Sequence, residues 1–315
     1  MANGSRHALF SAPESTYGTL PTSPALDAVR LTSCTLGLSK DSLESAEIRS
    51  DRQKADFRLG ANQVNGEIGF ELSYGSFDQF LEAVLMGTGW ETGAPLVGTD
   101  QVKAGVVRRS FTMVRHFSDI LTADKPYYIF SGVEINSLTL SIAASQMITG
   151  TMSVVGKGQT VAADLTALGT PTYAPESTTS PLDSFTGTLD EGGTTIAVVT
   201  EIALDLQNGV EPRYVVGSKE TIKPSDGRSN LTGTVSAYFE NSDLVEKFVN
   251  ETESSLTLIL PDAAGNSIKV IIPRIKYTGG KPDVSGEGPI ILSMPFQALL
   301  DSASGTNITI ERTPV

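Results

Sequence analysis

One block of sequence occurs twice in this chain. The first copy runs from Asn65 to Leu81 and the second from Thr232 to Phe248. The matched positions share a constant spacing and are glycine or apolar: Gly66 with Gly233, Ile68 with Val235, Leu72 with Phe239, Phe77 with Leu244 and Leu81 with Phe248. A glycine-led strand that continues into a short helix, repeated at one spacing, predicts an internal duplication.

The length of the chain favours two domains. It has 315 residues, of which 39% are apolar and 19% charged, and Ser, Thr, Gly and Asn make up much of the balance. This composition suits strands and turns with solvated faces. We therefore predict a mainly β fold: residues 1–29 as an extended, unpacked N-terminal arm, 30–165 as a first β domain, 166–186 as a linker, and 187–315 as a second β domain.

Each domain is expected to carry one short helix beside its sheet. In the first copy, apolar residues recur at helical spacing after Ser76, which predicts a helix that packs one face on the sheet. The core-facing residues predicted for the two helices are Phe77, Phe80, Leu81, Leu244 and Phe248.

The net charge argues against a surface that binds nucleic acid. The chain carries a formal charge of −13 at pH 7. Binding to DNA needs Lys and Arg to replace the counterions of the phosphates. An acidic wall would instead let DNA slide past without sticking.

The residues needed for catalysis or metal binding are scarce. His7 and His116 are the two histidines and Cys34 is the single cysteine, which we expect to be a small buried hydrophobe. Zinc sites of the usual type are therefore excluded, and we expect no enzymatic activity, metal or cofactor. No segment reaches the length of a membrane span and no signal-peptide core is visible, so we expect synthesis in the cytoplasm.

The charged segment 40–62 is the region that most suggests a contact surface. We interpret it as a protruding hairpin or loop that orders against a neighbouring subunit through complementary charges. A mobile, solvated loop is the alternative. The candidate contact residues are Glu44, Glu47, Ile48, Arg49, Asp51, Arg52 and Lys54.

Several strand motifs, in their order along the chain, resemble a known family. They are Arg109-Ser110-Phe111-Thr112, the run from Tyr128 to Ser141, Ile148 to Met152, Leu231 to Val235, Ile272-Pro273-Arg274 and Pro295 to Ala298. Over most of residues 30–312 this pattern is similar to the tail tube (major tail) proteins of long-tailed bacteriophages.

The resemblance implies two tandem β-sandwich or β-barrel domains, each with a flanking helix. It also implies a structural virion protein whose stacked rings form a hollow tail through which DNA is ejected into the host. Two domains in one chain imply a trimeric, pseudo-hexameric ring. The implied partners are further copies of this chain and the tail tip, tape-measure and tail terminator proteins, without specific DNA binding and without a membrane.

Further implications concern contacts and the tail type. Segments 40–62 and 207–228 correspond to loops that reach an adjacent ring, the lumen is expected to be acidic, and a flexible, non-contractile tail is favoured. The family supplies no catalytic residues to carry over.

A different class of function stays open. A tandem β-domain phage or surface protein for binding or decoration would have the same strand pattern. It would favour an exposed aromatic or carbohydrate-binding patch, and the single tryptophan, Trp90, argues mildly against sugar binding.

Overall fold

Alternation of apolar and polar residues produces strands along about half of the chain. The structure is a computed structural model that describes residues 2–48, 50–51, 53–54, 56–284 and 286–315. The fold is mainly β, as the composition predicts, with two α-helices and three short 3-10 helices among these residues.

The first strands and the first helix belong to the N-terminal part of the chain, residues 7–162. They are β1 (His7–Pro13), β2 (Ala25–Ala28), β3 (Ser33–Cys34), β4 (Gly37–Glu44), β5 (Phe57–Glu71), α1 (Asp78–Val84), β6 (Glu91–Thr92), β7 (Asp100–Lys103), β8 (Phe111–Phe117), β9 (Tyr127–Ala143), β10 (Thr149–Gly156) and β11 (Gly158–Ala162). The 3-10 helices are Gly4–Arg6, Thr122–Asp124 and Thr166–Leu168.

The remaining elements belong mostly to the C-terminal part, residues 188–313. They are β12 (Thr172–Ala174), β13 (Thr188–Glu191), β14 (Thr194–Thr195), β15 (Val199–Gln207), β16 (Glu211–Arg213), β17 (Ile222–Ser225), β18 (Asn230–Tyr238), α2 (Asp243–Val249), β19 (Ser254–Pro261), β20 (Ser267–Tyr277), β21 (Lys281–Asp283), β22 (Ile291–Ala298) and β23 (Thr309–Thr313).

The main strands pair in the same order in both parts. Hydrogen-bonded neighbours in the N-terminal part run β1–β8–β9–β10–β5–β4. In the C-terminal part they run β13–β19–β20–β22–β18–β15. All of these pairs are antiparallel, and the helix follows β5 in one part and β18 in the other. The repeated sequence block therefore lies at equivalent places in two strand arrangements.

A strand pair joins the two parts into one sheet. β9 pairs with β10 on one edge, and its C-terminal half pairs with β15 on the other. Leu140 of β9 lies opposite Leu204 of β15. Because neighbouring strands share their buried face, apolar residues from both parts form one continuous core.

The two helices differ in burial. Phe77, Phe80 and Leu81 are buried beside α1 or within it. Leu244 and Phe248 of α2 are half-buried at the margin of the core, and no residue of α2 is buried. Phe77 precedes α1, whereas Leu244 is the second residue of α2, so the constant spacing seen at the strands does not extend to the helices.

The N-terminal arm is packed, and the prediction of an unpacked arm is wrong. Residues His7 to Pro13 pair along their whole length with β8. Leu9, in the short apolar run from Ala8 to Phe10, is buried in the main core. Ala12, on the opposite face of the strand, is buried in a second apolar cluster with Leu26 and Leu168. Proline and polar residues dominate the composition of 1–29 and hide this run.

The predicted linker also packs closely on the N-terminal part. Leu168 and Leu182 are buried, and the backbone N–H of Leu182 donates to the carbonyl of Leu72 at 2.7 Å. β12 adds in parallel to β2. Segment 166–186 therefore connects the two parts as an ordered strap and not as a free spacer.

Candidate functional site

A polar face covers the sheet that runs through both parts. We define the concave face as the outward side chains of seven segments: 33–39, 63–71, 137–143, 149–155, 201–207, 230–238 and 291–297. Alternate residues of these segments point into the core, for example Ile68, Leu140, Leu204 and Met294. Since successive side chains of a strand point to opposite faces, the residues between them face outward.

The concave face carries acidic groups and no basic ones. None of the seven segments contains Lys or Arg. Their charged residues are Glu67, Glu71, Glu201 and Asp205, all exposed or half-exposed. At the margin, Lys281 of β21 bonds Asp283 of the same strand at 3.2 Å.

The face is concave around the pairing of β9 with β15, which joins the two parts and which we call the seam. A groove of about 540 Å³ lies over β9, β10, β15, β18 and β22. Its wall includes the hydroxyl-bearing residues Thr139, Ser141, Thr149, Thr151, Thr232 and Thr234 and the carboxylate of Asp205. Such a surface holds water and repels phosphate, and it has no cation with which to displace counterions from DNA.

Both lateral margins of this sheet end in strands with an open edge. Among the described strands, β3 and β4 pair with β5 alone, and β21 pairs with β22 alone. An open edge presents backbone N–H and C=O groups without a strand partner, which are a template for another chain. In segment 33–39, the guanidinium of Arg115 donates to the carbonyls of Leu36 at 2.5 Å and Cys34 at 3.4 Å.

The charged segment 40–62 forms the end of the β4–β5 hairpin. Glu44 accepts a bond from the amine of Lys54 at 2.5 Å, while Ile48 is fully exposed near the tip. Glu47 and Asp51 are also exposed. Arg49 and Arg52 lie outside the described residues.

The hairpin also exposes apolar side chains that the sequence reasoning missed. Phe57 and Leu59 are two residues apart on β5, so they share one face, and both are more than two-fifths exposed. The sequence signal that could have revealed these exposed residues is their alternation with charged neighbours.

The second predicted contact segment, 207–228, packs against the base of this hairpin. The hydroxyl of Tyr214 donates to the carbonyl of Asn62 at 2.8 Å, and the N–H of Asn62 donates to the carbonyl of Lys219 at 2.7 Å. The two segments predicted as separate contacts therefore touch each other within one chain.

A buried ion pair holds segment 207–228 to the N-terminal part. The guanidinium of Arg108 donates to Glu134 at 2.5 Å and to the carbonyl of Pro224 at 2.6 Å. Burial raises the pKa of Glu134, and the bond from Arg108 opposes that rise. This contact fixes the position of the hairpin formed by β16 and β17.

Both histidines contact neighbouring side chains. Nε2 of His7 accepts a bond from Nε of Arg115 at 3.0 Å, and His116 stacks on Tyr127. Burial lowers the pKa of both, and the nearby Arg115 charge lowers the pKa of His7 further. No group of three or more potential metal ligands occurs among the described residues.

Helices long and apolar enough to span a membrane are also missing from the described part of the chain. The two α-helices it contains are short.

Comparison with known proteins identifies the family. A family model described as "Phage tail tube protein" matches residues 4–298, which is nearly the whole chain. A search of curated proteins found no match. The match spans both strand arrangements and the concave face that crosses them. This chain belongs to the phage tail tube protein family, and is thus a structural protein of the phage tail.

Proposed function

We propose that this chain is the major subunit of a hollow phage tail tube and that its concave face lines the lumen. The observation that carries the proposal is the absence of Lys and Arg from all seven strand segments that meet at this face. A wall of hydroxyl and carboxylate groups allows DNA to pass without being held, because it offers no cation to replace the counterions of the phosphates.

The equal strand orders support a tandem arrangement of two domains, 30–165 and 187–315, with β1 added to the first. Two such domains in one chain make a ring of three chains with pseudo-sixfold symmetry. Open edges at β4 and β21 supply the places where chains join. Stacked rings then form the tube for DNA ejection, and the tail tip, tape-measure and tail terminator proteins complete the tail.

The hairpin tip is proposed to contact the adjacent ring. Ile48, Phe57 and Leu59 are exposed there among charged residues, which is typical of a surface that becomes buried on assembly. Glu44, Glu47, Asp51 and Lys54 supply charges at the rim of this contact.

Electron microscopy of the purified protein tests the proposal. Hollow rings or tubes whose end views have threefold symmetry are expected. Discrete monomers or solid particles at high protein concentration would instead favour the alternative, a tandem β-domain binding or decoration protein. The sign of the lumen charge is tested separately, and a basic channel in a ring structure would refute that part.

A further inference from the structure

The seam between the two parts shows how one sheet edge accepts another. On β15, Ala203 lies opposite Ser141 of β9 on one side and opposite Thr234 of β18 on the other. The seam therefore places a strand of the C-terminal part on the second edge of β9.

The counterpart of β15 in the N-terminal part is segment 33–39. Thr234 corresponds to Glu67 at the spacing that relates Gly233 to Gly66. The N–H of Thr35 donates to the carbonyl of Glu67 at 2.9 Å, so Thr35 corresponds to Ala203. Within the described chain, the other edge of this segment has no strand partner.

In the C-terminal part, β20 and β21 both pair with β22 and together take the place of the long strand β9. The counterpart of the C-terminal half of β9 is β21. Ser141 lies opposite Thr149 of β10, and Asp283 lies opposite Ile291 of β22. Thr149 lies opposite Glu71 of β5, and Ile291 lies opposite Tyr238 of β18. Glu71 and Tyr238 are related by the same spacing as Gly66 and Gly233. Asp283 therefore corresponds to Ser141, and no described strand occupies the second edge of β21.

The ends of the two helices also differ in a way that indicates a neighbour for the C-terminal part outside the single chain. Asn208, the residue after β15, donates from Nδ2 to the carbonyl of Val84 at the end of α1, at 2.7 Å. Val84 is completely buried, whereas Val249 at the end of α2 is 69% exposed. The counterpart of Asn208 is Lys40, whose amine suits the carbonyl end of a helix.

We propose that segment 33–39 of one copy adds antiparallel to β21 of a second copy, with Thr35 opposite Asp283 and Lys40 at the C-terminal end of the second copy's α2. This inference rests on the proposed ring and assigns the surfaces by which its chains join. The partner is a second copy of this chain, because the internal seam already shows the equivalent surfaces in contact.

The seam within the chain, between β9 and β15, differs in one respect from the proposed seam between copies, where β21 takes the place of β9. Pro282 has no backbone N–H, so β21 offers one donor fewer than the matching stretch of β9. A lone sheet edge with a proline is a poor general template, which limits pairing with unrelated strands. The contact at α2 then contributes to the choice of partner.

Cysteine cross-linking within assembled rings tests the register. The background variant is Cys34→Ala, and Thr35→Cys with Asp283→Cys is the test pair. Residues directly opposite in an antiparallel pair have Cα atoms about 4.5–5.5 Å apart, which is within the range of a disulfide. Mild oxidation is expected to give chains linked to each other, up to closed trimers, on a non-reducing gel.

Two control pairs define specificity. Thr35→Cys with Lys281→Cys shifts the register by two residues, and Thr35→Cys with Thr122→Cys uses an exposed residue outside the strands. Both are expected to link far less. If wild-type rings form and the Asp283 pair links no better than either control, the register is wrong although the ring stands. If wild-type protein forms no ring, the proposed function itself fails.

A substitution on α2 tests the helix contact independently. Val249→Asp is expected to lower the fraction of chains in rings about tenfold at a fixed concentration. Its Tm should be unchanged, because the residue is already exposed in the single chain. Val97→Asp, at a residue 99% exposed, is the matched control. Equal assembly of the two variants would overturn the contact at α2.

Discussion

A Cβ atom on Gly66 would lie 2.4 Å from the Cα of Leu36, in the short connection between β3 and β4. In the second copy of the block, a Cβ on Gly233 would lie 2.5 Å from Cζ of Phe296 and 2.6 Å from the carbonyl oxygen of Ala203. The contacts with Leu36 and Ala203 are with backbone, so no change of rotamer relieves these two. Close approach of the neighbouring backbone therefore explains why the repeated block keeps its glycine.

Replacing this glycine is expected to destabilise the chain. Gly66→Ala should lower the free energy of unfolding by about 1–3 kcal/mol, the usual effect of overpacking. Urea denaturation followed by circular dichroism measures this. Gly4→Ala is the control, because no atom lies within 4 Å of the Cβ it adds, and it should change the free energy by less than about 0.5 kcal/mol. Equal effects of the two variants would contradict the packing argument.

The pair Arg108–Glu134 is expected to be important for stability because it is buried. Glu134→Ala leaves the guanidinium without its main partner and should cost about 3–5 kcal/mol. The exposed pair Lys54–Glu44 provides the comparison, and Glu44→Ala should cost at most about 1 kcal/mol. Denaturant titrations of both variants measure the difference. A small effect of Glu134→Ala would mean that water enters this contact.

Stability should fall as the solution becomes acidic through the histidine range. The pKa values of His7 and His116 are lowered from 6.5 in the folded chain, so the folded state favours their neutral forms. This contribution is complete above pH 6.5 and is lost as the pH falls through the lower folded values. A fall in Tm below pH 6.5 is therefore expected.

A single substitution isolates the contribution of His7. His7→Gln keeps an acceptor for Arg115 and removes the titration, so the Tm should depend less steeply on pH than in the unaltered chain. The two curves should converge above pH 6.5. An unchanged slope would show that His7 does not contribute.

Reversing charge on the concave face should convert an inert tube into one that retains DNA. Glu67→Lys with Glu201→Lys places cations on the proposed lumen wall. Assembled tubes of this variant are expected to retain a short fluorescent DNA duplex at low salt and release it as salt rises. Asp124→Lys with Glu176→Lys makes the same change in net charge at exposed sites elsewhere. Equal retention by both variants would show that the concave face does not line the channel.

Local patterns predicted some elements well and others poorly. The strand that contains Gly66 and the helix that follows it were predictable because alternation gives way to helical spacing within a few residues. β1 was missed because a three-residue apolar run is too short to stand out among prolines. Its burial depends on β8, about a hundred residues away in sequence.

The candidate site also has features that the local sequence predicts and features that depend on distant parts of the chain. The lack of Lys and Arg is visible in each of the seven segments, yet only strand order places these segments side by side. The different burial of Val84 and Val249 was not predictable either, because both end similar short helices and only the neighbour at each helix differs.

The seam of β9 with β15 lies within a single polypeptide, which affects how assembly responds to dilution. Its two strands are tethered, so they meet at a fixed effective concentration whatever the amount of protein present. In a ring of three chains, half of the seams would then be permanent and only the other half would open when the protein is diluted. In such a ring, joining the two units in one polypeptide would halve the number of contacts that must form between separate chains.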